Sequence, residues 1–269
     1  MTGDRPSALG PRVRLPASGT EAGWEPDPYR PDAVVLTVGG AEQSTLVPGS
    51  PTTLVYEYLQ RVANILDLVP ALSHHTPTEP AAIAHLGGGA LSLTRRLEVT
   101  HPGLKQVVVD LDQELMDFVT SSYPLATPSL TRIVAGDVEH ALGSVESDAP
   151  FAAVVLDIAL DQHSPARLLS ADYMGRLLSL TGPDGAVLIN IGDDGGLPAT
   201  RTIVAACRSQ GASVFVTAPS DVLSGDYTGN VILVASRHAW PSERLEQVKA
   251  AGPHPASVFS GAELDFLGS

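Results

Sequence analysis

The chain has 269 residues, 43% of them hydrophobic, and is therefore long enough to bury a core without disulfide bonds. Its formal net charge of −14 at pH 7 disfavours nucleic acid and anionic membranes as partners. It would favour a cationic ligand, although acidity that serves only to keep the protein soluble is the commoner case. Cys207 is the single cysteine, and the N-terminus lacks the apolar core of a signal peptide. These features predict a soluble protein of the cytoplasm.

The first 70 residues divide into a tail and a small folded unit. Residues 1–32 are rich in proline, glycine and polar residues, which predicts a mobile tail. In "AVVLTVGGAEQSTLVPG", two extended runs flank Gly39-Gly40, which is typical of a β-hairpin. The segment "TLVYEYLQRVANILDLV", from Thr53, has helical periodicity with Tyr58 on the apolar face, and Pro70 is expected to end it. We therefore expect a hairpin and a helix over residues 33–70.

Residues 71–238 alternate between apolar runs and helical or loop segments. The runs "AAIAHL", "KQVVVDL", "LTRIVAG", "FAAVVLDI" and "GAVLINI" indicate parallel strands covered on both faces. "SVFVTA" and "GNVILVAS" are expected to form an antiparallel pair that closes the sheet. Residues 239–269 are predicted to be a polar helix and tail. The fold class is therefore α/β, with a seven-stranded, mostly parallel, Rossmann-like sheet preceded by a small β-hairpin unit.

Glycines and acids follow the successive predicted strands of this sheet. In open α/β sheets, ligands bind where the strands have their carboxyl ends. Gly87–Gly89 follow the first strand, and glycines there allow a ligand close to the backbone. Asp110, 21 residues after the last of them, has the spacing of an acid that accepts ribose hydroxyls. Asp137 could accept from an adenine amino group, and Asp157 would face the reacting end of the ligand.

The glycine pattern also discriminates among nucleotide cofactors. It contains neither Gly-x-Gly-x-x-Gly nor the Lys-Ser/Thr of a P-loop, which disfavours NAD and ATP. A short glycine turn beside several acids suits a nucleoside that is neutral or cationic. S-adenosylmethionine and its relatives fit that description.

Four segments resemble, in order, the successive motifs of spermidine synthases: "HLGGGALSLTRRL", "VVVDLDQELMDFV", "GDVEHAL" and "FAAVVLDIALDQHSPARLLSADYM". That family comprises aminopropyltransferases with the class I methyltransferase-like Rossmann fold. "EQS" and "VYEYL" match its small β-domain and the start of its core, so the resemblance covers roughly residues 33–238. The chain is also similar to actinobacterial spermidine synthase-like proteins. The resemblance implies S-adenosylmethionine or its decarboxylated form as co-substrate, an amine or polyamine acceptor, no metal, and a homodimer.

The same resemblance implies roles for individual residues. The nucleoside would be bound by Gln43, Gly87, Gly88, Gly89, Asp110 and Asp137. Asp157 corresponds to the aspartate that deprotonates the attacking amine, which is a general-base role. Asp161 and Tyr227 would contribute to the substrate pocket.

Departures from the family pattern concern the reacting end of the ligand. Ala90 occupies the position of an aspartate that binds the amino group of the transferred chain. Pro51-Thr52-Thr53 replaces an acidic pair, and in "DIALDQ" Asp161 is displaced by one residue. These changes leave three interpretations open. They are a transferase with impaired aminopropyl transfer, an S-adenosylmethionine-dependent methyltransferase, and a nucleoside-binding homologue without catalysis.

Two polar pairs elsewhere have weaker functional signals. His74-His75 lies in a proline-flanked segment without an acid at metal-ligand spacing, which favours a surface position. Asp193-Asp194 precedes two glycines and is more typical of a solvated turn than of a cation site.

Overall fold

The computed structural model of the chain describes residues 9–73 and 81–268, so His74-His75 lies outside the described residues. The strands are β1 (Val13–Leu15), β2 (Thr20–Pro26), β3 (Val34–Val38), β4 (Ala41–Leu46), β5 (Ala82–Leu86), β6 (Lys105–Asp110), β7 (Thr131–Ala135), β8 (Phe151–Leu160), β9 (Thr181–Asp193), β10 (Ser213–Ala218), β11 (Gly229–Ser236) and β12 (Ser257–Ser260). The helices are α1 (Glu57–Leu66), α2 (Pro70–Ser73), α3 (Ser92–Thr100), α4 (Gln113–Ser122), α5 (Leu142–Val145), α6 (Ala171–Ser179), α7 (Pro198–Ser209), α8 (Ser220–Leu223) and α9 (Ser242–Ala251). Short 3-10 helices span Glu146–Asp148 and Gly261–Gly268.

The larger sheet has eight strands in the order β12-β10-β11-β9-β8-β5-β6-β7. Strands β5 to β9 pair in parallel, whereas β10, β11 and β12 join antiparallel. The chain adds β6 and β7 on one side of β5, then returns to add β8 and β9 on the other. The carboxyl ends of β5 and β8 therefore define the switch point at which such sheets bind ligands. The predicted mostly parallel α/β sheet is confirmed.

An eighth strand lies in the C-terminal segment for which only a polar helix and tail are predicted. Helix α9 is present there, but β12 follows it and pairs with β10 from Phe215↔Ser260 to Ala218↔Ser257. The strand has only four residues, and all are half-buried. A run that short has no detectable alternation, so its pairing is determined by the neighbouring edge strand rather than by local sequence.

The prediction of a mobile tail over residues 1–32 is wrong for the part that forms β1 and β2. These strands join the predicted β3–β4 hairpin in a four-stranded antiparallel sheet. Trp24 is 2% exposed, and its ring lies 4.8 Å from the ring of Tyr123 and 6.1 Å from that of Phe118, measured between centroids. The apolar anchors of this segment are few and separated by turns. Its order therefore depends on packing against α4, which local composition does not reveal.

Helix α1 is shorter than the periodicity predicts. It begins at Glu57 rather than Thr53 and ends at Leu66. Pro70 opens the short helix α2, because a proline in a first turn lacks only an N–H that would have no helical partner there.

Both faces of the larger sheet are covered, as the continuous apolar runs predict. On β8, Val154 and Leu156 pack into one core cluster, which includes side chains of α6 and α7. Ala153 and Val155 point to the opposite cluster, which includes side chains of α1 and α3. Within the part of the chain that the structure describes, no helix has the length and apolarity needed to cross a bilayer.

The ordered N-terminal sheet leads to a stability prediction. Trp24→Ala should lower the free energy of unfolding by about 3–5 kcal/mol, because it empties a buried aromatic site. Tyr29→Ala, at a side chain that is 95% exposed, is the matched control and should change it by less than about 0.5 kcal/mol. Urea denaturation measures both values. Equal, negligible effects would mean that residues 13–26 behave as a tail after all.

Candidate active site

A cavity of about 410 Å³ lies at the switch point, between the carboxyl ends of the central strands and the N-terminal sheet. It brings together six of the residues singled out from the sequence: Gln43, Gly87, Gly88, Gly89, Asp110 and Asp157. Gln43 lies on β4, so the small sheet forms one wall of the cavity and the large sheet forms its floor.

Three predicted site residues lie outside the lining of this cavity. Asp137 accepts a hydrogen bond from the Glu139 N–H at 2.9 Å, within the turn after β7. Asp161 accepts the His163 N–H at 2.8 Å and so closes the turn after β8. Tyr227 is 64% exposed, in the connection between α8 and β11. The structure therefore does not bring these three side chains to the cavity.

The glycine loop is required by the packing of the protein itself. Gly87 has a φ of +105°, and a Cβ there would lie 2.2 Å from the carbonyl oxygen of Asp157. A Cβ on Gly88 would lie 2.9 Å from Sδ of Met116. Both distances are too short for a side chain. The first two glycines therefore allow the loop to pack against β8 and α4. Together with Gly89, they also expose one side of the loop backbone to the cavity.

Asp110 connects the end of β6 to this loop. Its Oδ2 accepts the N–H of Gly88 at 2.8 Å, and its Oδ1 has only a long contact of 3.4 Å with the N–H of Asp112. Burial raises the pKa of Asp110, and the backbone hydrogen bonds oppose that rise. One carboxylate oxygen is thus well placed to accept further hydrogen bonds from a ligand.

Asp112 joins the two sheets. Its side chain is 5% exposed, and its Oδ1 accepts the N–H of Ala17 at 2.9 Å. Ala17 belongs to the turn between β1 and β2. The β1–β2 hairpin thus reaches the carboxyl end of β6. Leu15 and Ser18 of the same hairpin line the cavity.

Asp157 is held by a chain of side-chain hydrogen bonds. Its Oδ1 accepts Nδ2–H of Asn190 at 2.8 Å, and its Oδ2 accepts the hydroxyl of Tyr58 at 3.2 Å. Asn190 Oδ1 in turn accepts Nδ2–H of Asn230 at 3.0 Å. Burial raises the pKa of Asp157, although both hydrogen bonds lower it. Burial and the Asp157 charge raise the pKa of Tyr58, so its hydroxyl stays protonated and donates.

Local irregularity of β8 turns Asp157 out of the regular ladder. The register between β8 and β9 shifts between Leu156 and Leu160, and Ala159 has a φ of +53°. Asp157 lies within this interrupted segment, which explains how a strand residue reaches the cavity.

Tyr58, Asn190 and Asn230 were not singled out from the sequence. The periodicity places Tyr58 on a core face, where its hydroxyl needs a partner. Asn190 interrupts the buried apolar run of β9 and is only 4% exposed, whereas Asn230 is half-buried at the start of β11. A buried amide in such a strand needs polar partners. That interruption is the signal that could have indicated Asn190.

Ala90 occupies a different environment from the one that the resemblance implies. It is completely buried, in an apolar cluster with Leu36, Leu46 and Val108, and it does not line the cavity. A carboxylate at this position would enter that apolar cluster instead of reaching a ligand. Replacement of Ala90 by aspartate would therefore not restore a ligand contact in this chain.

The Asp193-Asp194 pair has a structural role. Asp193 is 3% exposed and accepts the N–H groups of Ala199 at 3.2 Å and Thr200 at 2.7 Å, in the first turn of α7. It satisfies helix-terminal donors and is not a solvated turn residue. Across residues 9–73 and 81–268, no group of three or more potential metal-ligating side chains is found.

The cavity is strongly acidic. Its lining includes the carboxylates of Glu42, Asp110, Asp112 and Asp157, and no lysine or arginine occurs among the described residues that line it. His85, also in the lining, has its pKa lowered to about 4 by burial, against the opposing hydrogen bond with Gln106, and it is therefore neutral. Such a lining is unfavourable for a phosphate and favourable for a ligand that carries positive charge.

Comparison with solved structures identifies the fold. The human methyltransferase-like protein 13 in complex with SAH has a TM-score of 0.56 and 14% identity, over 73% of this chain and 90% of that one. Two further structures, one of them a spermidine synthase in complex with the transition-state analogue AdoDATO and the other the enzyme from Thermotoga maritima, each give 0.59 and 13%, over 92% of this chain and 79% of theirs. The chain therefore has the class I methyltransferase-like fold.

A more similar structure includes the N-terminal sheet. It is described as a probable spermidine synthase from Corynebacterium glutamicum ATCC 13032, and it has a TM-score of 0.83 and 22% identity over 97% of this chain and 94% of that one. The arrangement is thus a spermidine synthase-like fold. Neither a protein-family model nor a curated protein sequence matches the chain.

The packing of the glycine loop can be tested by adding a methyl group. Gly87→Ala should lower the free energy of unfolding by roughly 2–6 kcal/mol, because it combines a strained left-handed φ with overpacking. Gly40→Ala is the control, since its φ of +81° is also left-handed but a Cβ there meets nothing within 4 Å. It should cost only about 1–2 kcal/mol, the usual penalty for a Cβ in that conformation. Chemical denaturation with equal losses for the two variants would contradict the close contact with Asp157.

Proposed function

We propose that the protein is a transferase that binds an S-adenosylmethionine-type nucleoside and transfers an alkyl group, of the aminopropyl type, to an amine. The observation that carries this proposal is the cavity at the switch point. It combines a glycine loop, an acid with one weakly hydrogen-bonded oxygen at the next strand end, and the carboxylate of Asp157, which is held by Tyr58 and Asn190. The acidic lining suits a sulfonium donor and an amine acceptor.

Donor binding uses the side of the cavity formed by β5 and β6. Asp110 Oδ1 would accept ribose hydroxyls, since Oδ2 is already used by the glycine loop and Oδ1 has only the long contact with the Asp112 N–H. Gln43, on the opposite wall, would contact the nucleoside from the small sheet. The cavity volume of about 410 Å³ lies within the usual range for small-molecule sites. These residues fit the nucleoside without requiring a phosphate site.

Catalysis uses the side of the cavity formed by β8. The bound donor supplies an electrophilic carbon next to a sulfonium that departs as a neutral thioether. Asp157 accepts the proton lost by the amine nitrogen as that nitrogen bonds to the carbon and the carbon–sulfur bond breaks. The raised pKa of Asp157 makes it a stronger proton acceptor than an exposed aspartate. Tyr58 and Asn190 hold its two oxygens in place for this transfer.

A methyltransferase is the second candidate, because methyltransferases share the fold. The N-terminal sheet favours the first candidate. It forms a wall of the cavity, and the similarity to the probable spermidine synthase spans 97% of the chain against 73% for the methyltransferase-like protein. Two acidic features of spermidine synthases are absent at Ala90 and at Pro51-Thr52-Thr53, which supports a slow aminopropyl transfer. A nucleoside-binding protein without catalysis is the third candidate.

Nucleoside binding can be measured independently of turnover. Asp110→Ala should weaken methylthioadenosine binding about tenfold to a hundredfold, because ribose hydroxyls lose an acceptor worth roughly 1–3 kcal/mol. Asp184→Ala is the matched control, since this exposed aspartate lies near the amino end of β9, remote from the cavity. Isothermal titration calorimetry gives both constants. An unchanged affinity of Asp110→Ala would remove this residue from the nucleoside site.

Turnover separates the candidate reactions. The protein is incubated with several primary amines, including 1,4-diaminobutane and 4-aminobutanoate, and with either S-adenosylmethionine or its decarboxylated form, and mass spectrometry detects methylated or aminopropylated product. We expect the aminopropylated product, and a rate that Asp157→Asn lowers about 10²–10⁴-fold through loss of the proton acceptor. Methylated product alone would favour the second candidate. Tight nucleoside binding without product from any amine would favour the third.

A further inference from the structure

A second cavity, of about 310 Å³, adjoins the first. Tyr58 and Asn230 line both cavities, so these two side chains form the boundary between them. Tyr58 donates to Asp157 in the first cavity, so the second cavity lies on the other side of a residue that contacts the proposed proton acceptor. The chemistry of this cavity therefore bears on the distal end of the acceptor.

Arg61 gives the second cavity an unusual charge. It lines the cavity, yet it is only 3% exposed overall. Its Nη2 donates to the carbonyl oxygen of Pro255 at 3.1 Å. Among the described residues, no carboxylate lies within 4 Å of its guanidinium, although the chain has 30 acidic residues and only 16 basic ones. A buried cation without a charged partner among the described residues is costly unless an anion joins it.

The first turn of α1 adds further positive potential to the second cavity. Tyr56, its N-cap residue, makes no side-chain capping bond, and Tyr56, Glu57 and Tyr58 all line the second cavity. The backbone N–H groups of a first helical turn have no partner within the helix, and they carry partial positive charge. The N-terminus of α1 and the guanidinium of Arg61 thus both make the electrostatic potential in the second cavity more positive.

Glu57 is the acidic residue in the lining of the second cavity, and its charge would favour a cationic ligand there. Its carboxylate is exposed, so water and salt screen it, whereas the guanidinium of Arg61 is buried and less screened. Its charge also opposes the lowering of the Arg61 pKa that burial causes, so Arg61 stays protonated. An anion in the cavity is therefore stabilised more strongly than an ammonium.

We propose that the second cavity binds a carboxylate through Arg61, and that the acceptor is an amino-acid-type amine whose nitrogen faces Asp157 while its carboxylate lies beyond Tyr58. This assignment rests on the proposed transferase function and narrows its acceptor. A plain diamine would place its second ammonium near the buried guanidinium, which is unfavourable.

Two probes of matched length test the assignment: 4-aminobutanoate and 1,4-diaminobutane, which differ at one end only. Each is titrated calorimetrically into the full chain, with and without saturating methylthioadenosine. We expect 4-aminobutanoate to bind at least tenfold more tightly than 1,4-diaminobutane. Arg61→Met should weaken 4-aminobutanoate at least tenfold and leave methylthioadenosine binding unchanged. Arg208→Met is the control, because it removes an arginine paired with Asp265 at the surface and should change neither affinity.

The outcomes separate this inference from the proposed function. Equal or tighter binding of 1,4-diaminobutane, no binding of 4-aminobutanoate, or an Arg61→Met variant with unchanged 4-aminobutanoate affinity would each overturn the carboxylate assignment. Absence of methylthioadenosine binding would instead refute the nucleoside site, and the titrations without nucleoside would still report on Arg61. If Arg61→Met lacks a native melting transition, the comparison of the two probes on the unaltered chain decides, with Glu57→Gln as the second variant. Tighter binding of 1,4-diaminobutane that Glu57→Gln abolishes would identify a diamine site.

Discussion

The approach of Gly87 to the carbonyl of Asp157 is the constraint on which the site depends. It brings the carboxyl ends of β5 and β8 together where the sheet reverses its strand order, with no space for a side chain between them. The loop after β5 then presents the N–H of Gly88 to Asp110, and the irregular end of β8 presents Asp157 to the cavity. Two carboxylates on different strands are thus positioned by one backbone contact.

The N-terminal sheet completes the cavity that this contact opens. Ala17 donates to Asp112, and Ser92 Oγ donates to the carbonyl of Thr45 at 2.9 Å, so the small sheet is attached at two points to the strand ends and to α3. Burial of Trp24 against α4 adds apolar stabilisation to these polar attachments. Enclosing several carboxylates in one cavity costs free energy. The two attachments and the burial of Trp24 hold the small sheet over the cavity, although that part of the chain is rich in proline and glycine.

The sequence predicts those features that repeat with a period and misses those that depend on a distant partner. Apolar runs of five or more residues predict the parallel strands, and the acids at successive strand ends predict that Asp110 and Asp157 line one cavity, although Asp137, from the same pattern, does not line it. Residues 13–26 and 257–260 form strands only because existing edges accept them, so local composition misidentifies both. The family resemblance implies that Asp161 lies in the substrate pocket, but a tight turn occupies its carboxylate. The same resemblance implies that residue 90 faces the ligand, but the Ala90 side chain points into an apolar cluster.

The hydrogen bonds from Asn230 through Asn190 to Asp157 also have a direction. Asn190 receives an N–H at its oxygen, so only its NH₂ group remains to face the carboxylate. A 180° flip of this amide would set oxygen against oxygen at Asp157 and NH₂ against NH₂ at Asn230. Three adjacent strands thus fix the sign of the dipole at the carboxylate, and this fixed dipole is present before any ligand arrives. Asn230 lies two strands away from β8. It therefore orients the Asn190 amide that donates to Asp157, although Asn230 itself makes no hydrogen bond to that carboxylate.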